Sequence, residues 1–270
     1  MDIGALTTIP VDAAQIVCRV IGEGRPLLVL NGFGATSEDW HPSFLDRLGS
    51  CNRLVLVNNR GIGGSIDDGQ PFDVETLADD AAQVIETLGF KRASILGWSM
   101  GGFIAQALAV KRPDRVDRLI LLSADSGTDA DLAAPGVWSR LIDPSGTPRE
   151  QARRLLSLLF PSDVADVFYR DFGEIVAAAR AQLSPDLLRR QATAMDAWHR
   201  NGVPGCPADI RAPVLIGAGV EDAVIPASNA LKLANAIPGA WLAQFPRGGH
   251  AFMAQYPLNL ADLINSFLAL

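Results

Sequence analysis

The sequence predicts an α/β fold: a mostly parallel sheet covered by helices on both faces, with a helical cap inserted into it. Three observations carry that expectation. Short β-rich apolar runs alternate with longer helical ones. The short runs are continuously apolar rather than alternating, as strands buried on both faces are. One long stretch, 126–209, breaks the alternation and holds no convincing strand.

Along the chain, Pro26–Leu30 is a buried strand ending at Asn31-Gly32, and Glu38–Leu48 reads as a helix with Ser37 as its N-cap. Leu54–Val57 is a second strand, followed by the loop NNRGIGGS. Val74–Leu88 spaces Leu77, Ala81, Val84, Ile85 and Leu88 at helical intervals and stops at Gly89. Ala93–Gly97 is a third strand, and Gly101–Lys111 a helix that ends before Pro113. Leu119–Leu122, Pro213–Gly217 and Trp241–Phe245 supply three more strands. Within the interrupting stretch, Glu150–Phe160, Ser162–Ala181 and Pro185–Trp198 read as helices between prolines and glycines. The expected organisation is a core of residues 1–125 and 210–270, with 126–209 as a cap.

Composition narrows the function classes. Among 270 residues, 49% are hydrophobic and 20% charged, enough for a large core and unlike a disordered chain. A net charge of -7 argues against a nucleic-acid footprint, which needs clustered Lys and Arg. Cys18, Cys51 and Cys206 are odd in number and far apart, with no Cys/His spacing suited to zinc. No metal and no cofactor is expected. The start MDIGALTTIP has an acid at Asp2, no basic leader and no long apolar run. Neither a signal peptide nor a membrane partner is expected, and the cytoplasm is the default setting. The expected partner is a small-molecule substrate; the oligomeric state is left open, a homodimer being one option.

One stretch points to chemistry. In SILGWSMGG, Ser99 stands between Gly97 and Gly101 where a strand turns into a helix. A sharp turn there pushes the hydroxyl out above the sheet, beside the positive end of the helix. A serine nucleophile needs a base and an acid to orient it. The chain has three histidines. His41 suits a capping or exposed role, and His199 lies in the expected cap. His250, in PRGGHAF, follows the last strand, where open α/β sheets place their sites. The acid should also follow a strand. Asp222 does so, with Glu221 one residue early and Asp125, after the fourth strand, as second candidate.

NGFG at Asn31–Gly34, NNRGIGGS at Asn58–Ser65, GWSMGG at Gly97–Gly102, GVEDAVIP and GGH occur in the order Ser99, Asp222, His250. With these motifs the chain resembles the α/β-hydrolase superfamily over nearly its full length, nearest in flavour to the esterase, enol-lactonase and cofactor-free haloperoxidase-like group. The resemblance implies Ser99, Asp222 and His250 as catalytic triad, and the backbone N–H groups of Phe33 and Met100 as oxyanion hole. It implies hydrolysis of a small, apolar ester or lactone through an acyl-enzyme. Perhydrolysis or haloperoxidase activity, C–C bond hydrolysis and slow-turnover ligand reception occur on the same scaffold. Phe33, Trp98 and Met100, with Trp138, Leu159 and Trp198 from the cap, are the candidate pocket walls. Two positions depart from the family pattern: Asn31 stands where His is usual and Asn58 where Asp is usual, which puts the anchoring of both loops in question. Arg60 either braces its loop or is exposed. A dinucleotide site is disfavoured, because Ser37 stands where a third glycine is needed and Asn58 and Asn59 where an acid is needed.

Overall fold

The computed structural model describes residues 4–12 and 14–270. Met1–Ile3, on which part of the reading of a leaderless N-terminus rests, and Ala13 lie outside the described residues. Eight strands form one sheet among the described residues: β1 (Ala5–Val11), β2 (Ala14–Ile21), β3 (Arg25–Leu30), β4 (Asn52–Val57), β5 (Ala93–Trp98), β6 (Val116–Leu122), β7 (Val214–Gly219) and β8 (Trp241–Phe245). Their spatial order is β1-β2-β4-β3-β5-β6-β7-β8. The first two run antiparallel to their neighbours, and the rest are parallel.

The central strands β3 to β7 are largely apolar because both of their faces are buried. Alternate side chains point to opposite faces. Leu28, Leu30, Val55, Val57, Ile95, Leu119 and Leu121 face one core, with residues of α2 (Val74–Thr87) and α3 (Met100–Lys111). Leu27, Val29, Leu54, Leu56, Leu96, Ile120 and Leu122 face the other, with residues of α1 (Pro42–Gly49) and α10 (Pro257–Ala269). Each fully buried leucine contributes about 1.5–3 kcal/mol of transfer free energy. The register aligns the carboxyl ends of the strands. Leu30 pairs with Gly97, Trp98 with Leu122, Leu122 with Gly217, and Gly219 with Phe245. The loops after β3, β5, β6, β7 and β8 therefore emerge along one edge.

Four helices lie between β6 and β7: α4 (Val137–Ile142), α5 (Pro148–Leu159), α6 (Ser162–Ala181) and α7 (Pro185–Asn201). No strand occurs there. Two further helices, α8 (Ser228–Ala236) and α9 (Phe252–Gln255), complete the chain. No helix of the described residues is long and apolar enough to cross a membrane.

Two departures from the sequence-based expectation bear on the sheet and its first helix. The hairpin β1–β2 was not expected: it buries only Ile9, Val11, Ala14, Ile16 and Cys18, and the exposed Thr8, Pro10 and Gln15 beside them leave no long apolar run to mark it. The expected helix Glu38–Leu48 starts only at Pro42, with His41 rather than Ser37 as its cap; His41 Nδ1 accepts from the Ser43 N–H at 3.2 Å. Proline pushes the residue before it out of the α region and suits the first helical position, so the helix cannot begin earlier.

Candidate active site

Ser99 sits at the turn between β5 and α3 with φ 56° and ψ −123°, left-handed strain unusual for a residue with a Cβ. The neighbours leave no alternative to glycine. A Cβ on Gly97 would strike the Gly101 carbonyl, and one on Gly101 would strike the Leu30 carbonyl. Strand, turn and helix are thus pressed together. The Ser99 N–H donates to Leu122 O at 2.9 Å, which ties the elbow to β6. Such a conformation costs about 1–3 kcal/mol and persists only where the surroundings enforce it.

The other two residues of the expected triad meet. His250 Nδ1 lies 2.8 Å from Asp222 Oδ2 and 3.1 Å from Oδ1. Both side chains are almost wholly buried. Asp222 Oδ1 also accepts from the N–H groups of Val224 and Ile225, each at 2.8 Å. These backbone donors satisfy a buried carboxylate and fix its direction. The backbone that carries the imidazole is anchored as well: Trp98 Nε1 donates to His250 O at 2.9 Å, and the Glu221 N–H to Gly248 O at 2.8 Å. The Glu221 side chain is exposed. Asp125 is engaged elsewhere, accepting from the Gly127 N–H at 2.9 Å and Trp198 Nε1 at 3.1 Å and lying 3.2 Å from His199 Nε2.

The loop after β3 abuts the serine: a Cβ on Gly32 would lie 3.2 Å from Ser99 Cβ. The two unusual asparagines, Asn31 in this loop and Asn58 in the loop after β4, have clear partners. Asn31 Nδ2 donates to Val57 O at 2.8 Å while its Oδ1 accepts from Trp40 Nε1 at 2.7 Å. Asn58 Oδ1 accepts from the Ser37 N–H at 2.7 Å while its Nδ2 donates to Gly63 O at 2.9 Å. An amide offers a donor and an acceptor at once, which an aspartate does not. Arg60 is buried and braces its loop through a two-bond pair with Asp80, at 2.8 and 2.7 Å. Burial pushes the Asp80 carboxyl above its ordinary range, against the pull of Arg60.

Ser99, His250 and Phe33 line one cavity of about 170 Å³. Its walls are largely apolar and come from α5 and α6, among them Leu155, Leu156, Leu159, Phe168, Phe172 and Val176. Of the expected pocket walls, Phe33, Trp98 and Leu159 line it. Met100, Trp138 and Trp198 do not. The Met100 side chain is wholly buried in the core beneath α3. Trp198 stacks on Phe103 with ring centroids 5.1 Å apart and is tied to Asp125, while Trp138 meets the edge of His199 at 6.3 Å. Trp198 of α7 is thus turned toward α3 and Trp138 of α4 toward α7, whereas the cavity is walled chiefly by α5 and α6, with Leu141 of α4 at its edge.

Polar side chains also line the cavity, and sequence reasoning missed them. Asp39, an exposed residue, is among them; desolvation by neighbouring protein pushes its carboxyl up, while its bonds with Thr36 and attraction to Arg180 pull it down. Burial lowers His41. Arg180 is only 6% exposed, and burial lowers its guanidinium. A signal for Arg180 existed: Phe168, Phe172, Val176 and Arg180 recur every four residues, one stripe of a helix.

Fold and site define a class: a parallel sheet with a serine elbow, an acid and a histidine following successive strands along one edge. A family model described as the α/β hydrolase fold matches residues 25–255. The chain belongs to the α/β-hydrolase family of enzymes. It is 30% identical over 249 residues, 91% of each chain, to a Caulobacter protein named putative carbamate hydrolase RutD. It is 28% identical to a Mycobacterium tuberculosis protein named putative non-heme bromoperoxidase BpoC, covering 92% of this chain and 95% of the relative. Among solved structures, the meta-cleavage product hydrolase CumD of Pseudomonas fluorescens superposes with a TM-score of 0.85 at 20% identity, covering 97% of each chain. That likeness is one of fold.

Proposed function

We propose that the protein is a serine hydrolase cleaving a small ester or lactone with a largely apolar body, through an acyl-enzyme. The observation that carries this reading is the buried His250–Asp222 pair, at 2.8 Å, whose histidine lines the same cavity as Ser99. His250 Nε2 takes the Ser99 proton as the serine oxygen attacks the carbonyl. Asp222 holds the proton on Nδ1 and stabilises the imidazolium. The N–H groups of Met100, at the unpaired start of α3, and of Phe33, in the loop against Ser99, receive the oxyanion. His250 then gives its proton to the leaving oxygen, and a water activated by the same nitrogen releases the acid. Residues 126–209 act as the cap, with α5 and α6 roofing the cavity. Gly249 supports that placement: a Cβ there would strike Leu159 O and Phe160, and the neighbouring Ala251 N–H donates to Leu159 O at 3.1 Å.

The test is turnover of short p-nitrophenyl esters by the wild type and Ser99→Ala. Loss of a triad member lowers kcat by about 10³-fold or more. Full esterase activity in Ser99→Ala overturns the reading. Absence of turnover together with ligand-induced thermal stabilisation favours a receptor on the same scaffold.

A further inference from the structure

We infer that Arg180 is an anion-binding residue of the substrate cavity, and that the substrate's acyl part carries a carboxylate at its far end. This inference rests on the serine hydrolase reading and names its substrate class. Arg180 stands in the last turn of α6, with its side chain facing the cavity that Ser99 and His250 line. It is 6% exposed. Its sole hydrogen bond among the described residues is a long one, from Nε to Gln151 Oε1 at 3.4 Å. Neither terminal nitrogen has a partner among those residues, and no carboxylate of theirs comes within ion-pair distance of it. Asp39 attracts it from further off, but both bonds to Asp39 Oδ2 come from Thr36, at 2.6 and 2.8 Å. Arg154 repels it.

A guanidinium is almost never buried without a partner, because desolvation of a lone cation is costly. Here the fork is held with its donors free in a largely apolar cavity, whose other charged lining residues, Glu38 and Asp39, make no bond to it. Its geometry matches a carboxylate through two parallel bonds. Its position also fits. A Cβ on Gly34 would lie 3.0 Å from Arg180 Nη1, so the guanidinium abuts the loop that supplies Phe33. The substrate would present its reactive carbonyl to Ser99, its apolar body to Phe168, Phe172 and Val176, and a terminal anion to Arg180.

The experiment compares mono-p-nitrophenyl adipate with p-nitrophenyl hexanoate, esters of matched length that differ by a terminal carboxylate. In the wild type, kcat/KM is about tenfold or more higher for the adipate, mainly through KM. In Arg180→Met that ratio falls by about tenfold or more, and Arg180→Lys retains part of it, since a charge-assisted forked pair is worth at least that factor. A wild-type ratio at or below unity, or an unchanged ratio in Arg180→Met, overturns the inference. Folding is followed separately. A cation placed for structure would lower Tm when lost, whereas Arg180→Met melts at or above the wild type because an unpaired buried charge is removed. A clear fall in Tm counts against the inference. A second arm does not depend on catalysis. Free dicarboxylates from succinate to suberate raise the Tm of Ser99→Ala, and the added Arg180→Met removes the effect. If no ester turns over but this stabilisation holds, the hydrolase reading fails while the anion site stands. If no dicarboxylate stabilises Ser99→Ala, the anion site fails whatever the esters do.

Discussion

Replacing Asp222 with asparagine isolates what the carboxylate does for His250. Asp222 is held on one side by the N–H groups of Val224 and Ile225, which donate to Oδ1 at 2.8 Å each. In Asp222→Asn these two donors retain the amide oxygen at that position. The amide nitrogen is then forced into the place of Oδ2, 2.8 Å from His250 Nδ1. An NH₂ group facing Nδ1 requires Nδ1 to be the acceptor, so the proton moves to Nε2. That nitrogen can no longer take the Ser99 proton. Geometry is conserved while the tautomer is inverted. The expected loss in kcat is about 10³–10⁴-fold, equivalent to about 4–5.5 kcal/mol of transition-state stabilisation. KM moves little, because no substrate contact is lost. The assay is steady-state hydrolysis of a short p-nitrophenyl ester at neutral pH, with near-ultraviolet circular dichroism to show that packing is intact. A kcat within tenfold of wild type refutes the reasoning. So does an equal loss in Asp125→Asn, since Asp125 faces His199 and Trp198 instead.

Three other perturbations test the same geometry. Ser99→Gly relieves a left-handed backbone and raises stability by about 1 kcal/mol or more while removing the hydroxyl, a rise in chemical-denaturation midpoint with loss of esterase turnover. Asn58→Asp sets a carboxylate oxygen against the Gly63 carbonyl in place of a donor, and costs about 1–3 kcal/mol in chemical denaturation near neutral pH. Burial pushes the Cys18 thiol up to about 12, so it stays protonated and inert at neutral and mildly alkaline pH. Cys51 and Cys206 are exposed. A thiol reagent should therefore label both of these in the native protein and reach Cys18 only after unfolding.

The parts of this molecule that could be read in the sequence are those where a residue's role is set by its immediate neighbours. Strands β3 to β7 are apolar on both faces, and they stand out without knowledge of what covers them. The elbow at Ser99 is a property of five consecutive residues. Asp222 and His250 each follow a strand, so their positions along the edge were readable before their contact. The hairpin β1–β2 hid itself by having one exposed face. The start of α1 was set by Pro42, one local rule overlooked in favour of a longer apolar pattern. The pocket was the least legible part, because lining a cavity depends on which helix folds over which face. Trp138 and Trp198 are large and apolar, as a cavity wall would be, but Trp198 stacks on Phe103 of α3 and Trp138 meets His199 of α7. Arg180 was passed over because an arginine on a helix ordinarily faces water. The four-residue repeat that joins it to Phe168, Phe172 and Val176 has meaning only once α6 is known to roof the serine.

The proposed role of Ser99 as the activated nucleophile of this cavity is tested by reaction of the protein with a fluorophosphonate, followed by mass mapping of the modified peptide. One adduct is expected, on the peptide that contains Ser99, absent in Ser99→Ala and strongly slowed in His250→Ala. An adduct on another serine, or undiminished ester turnover after Ser99 has been blocked, would contradict it.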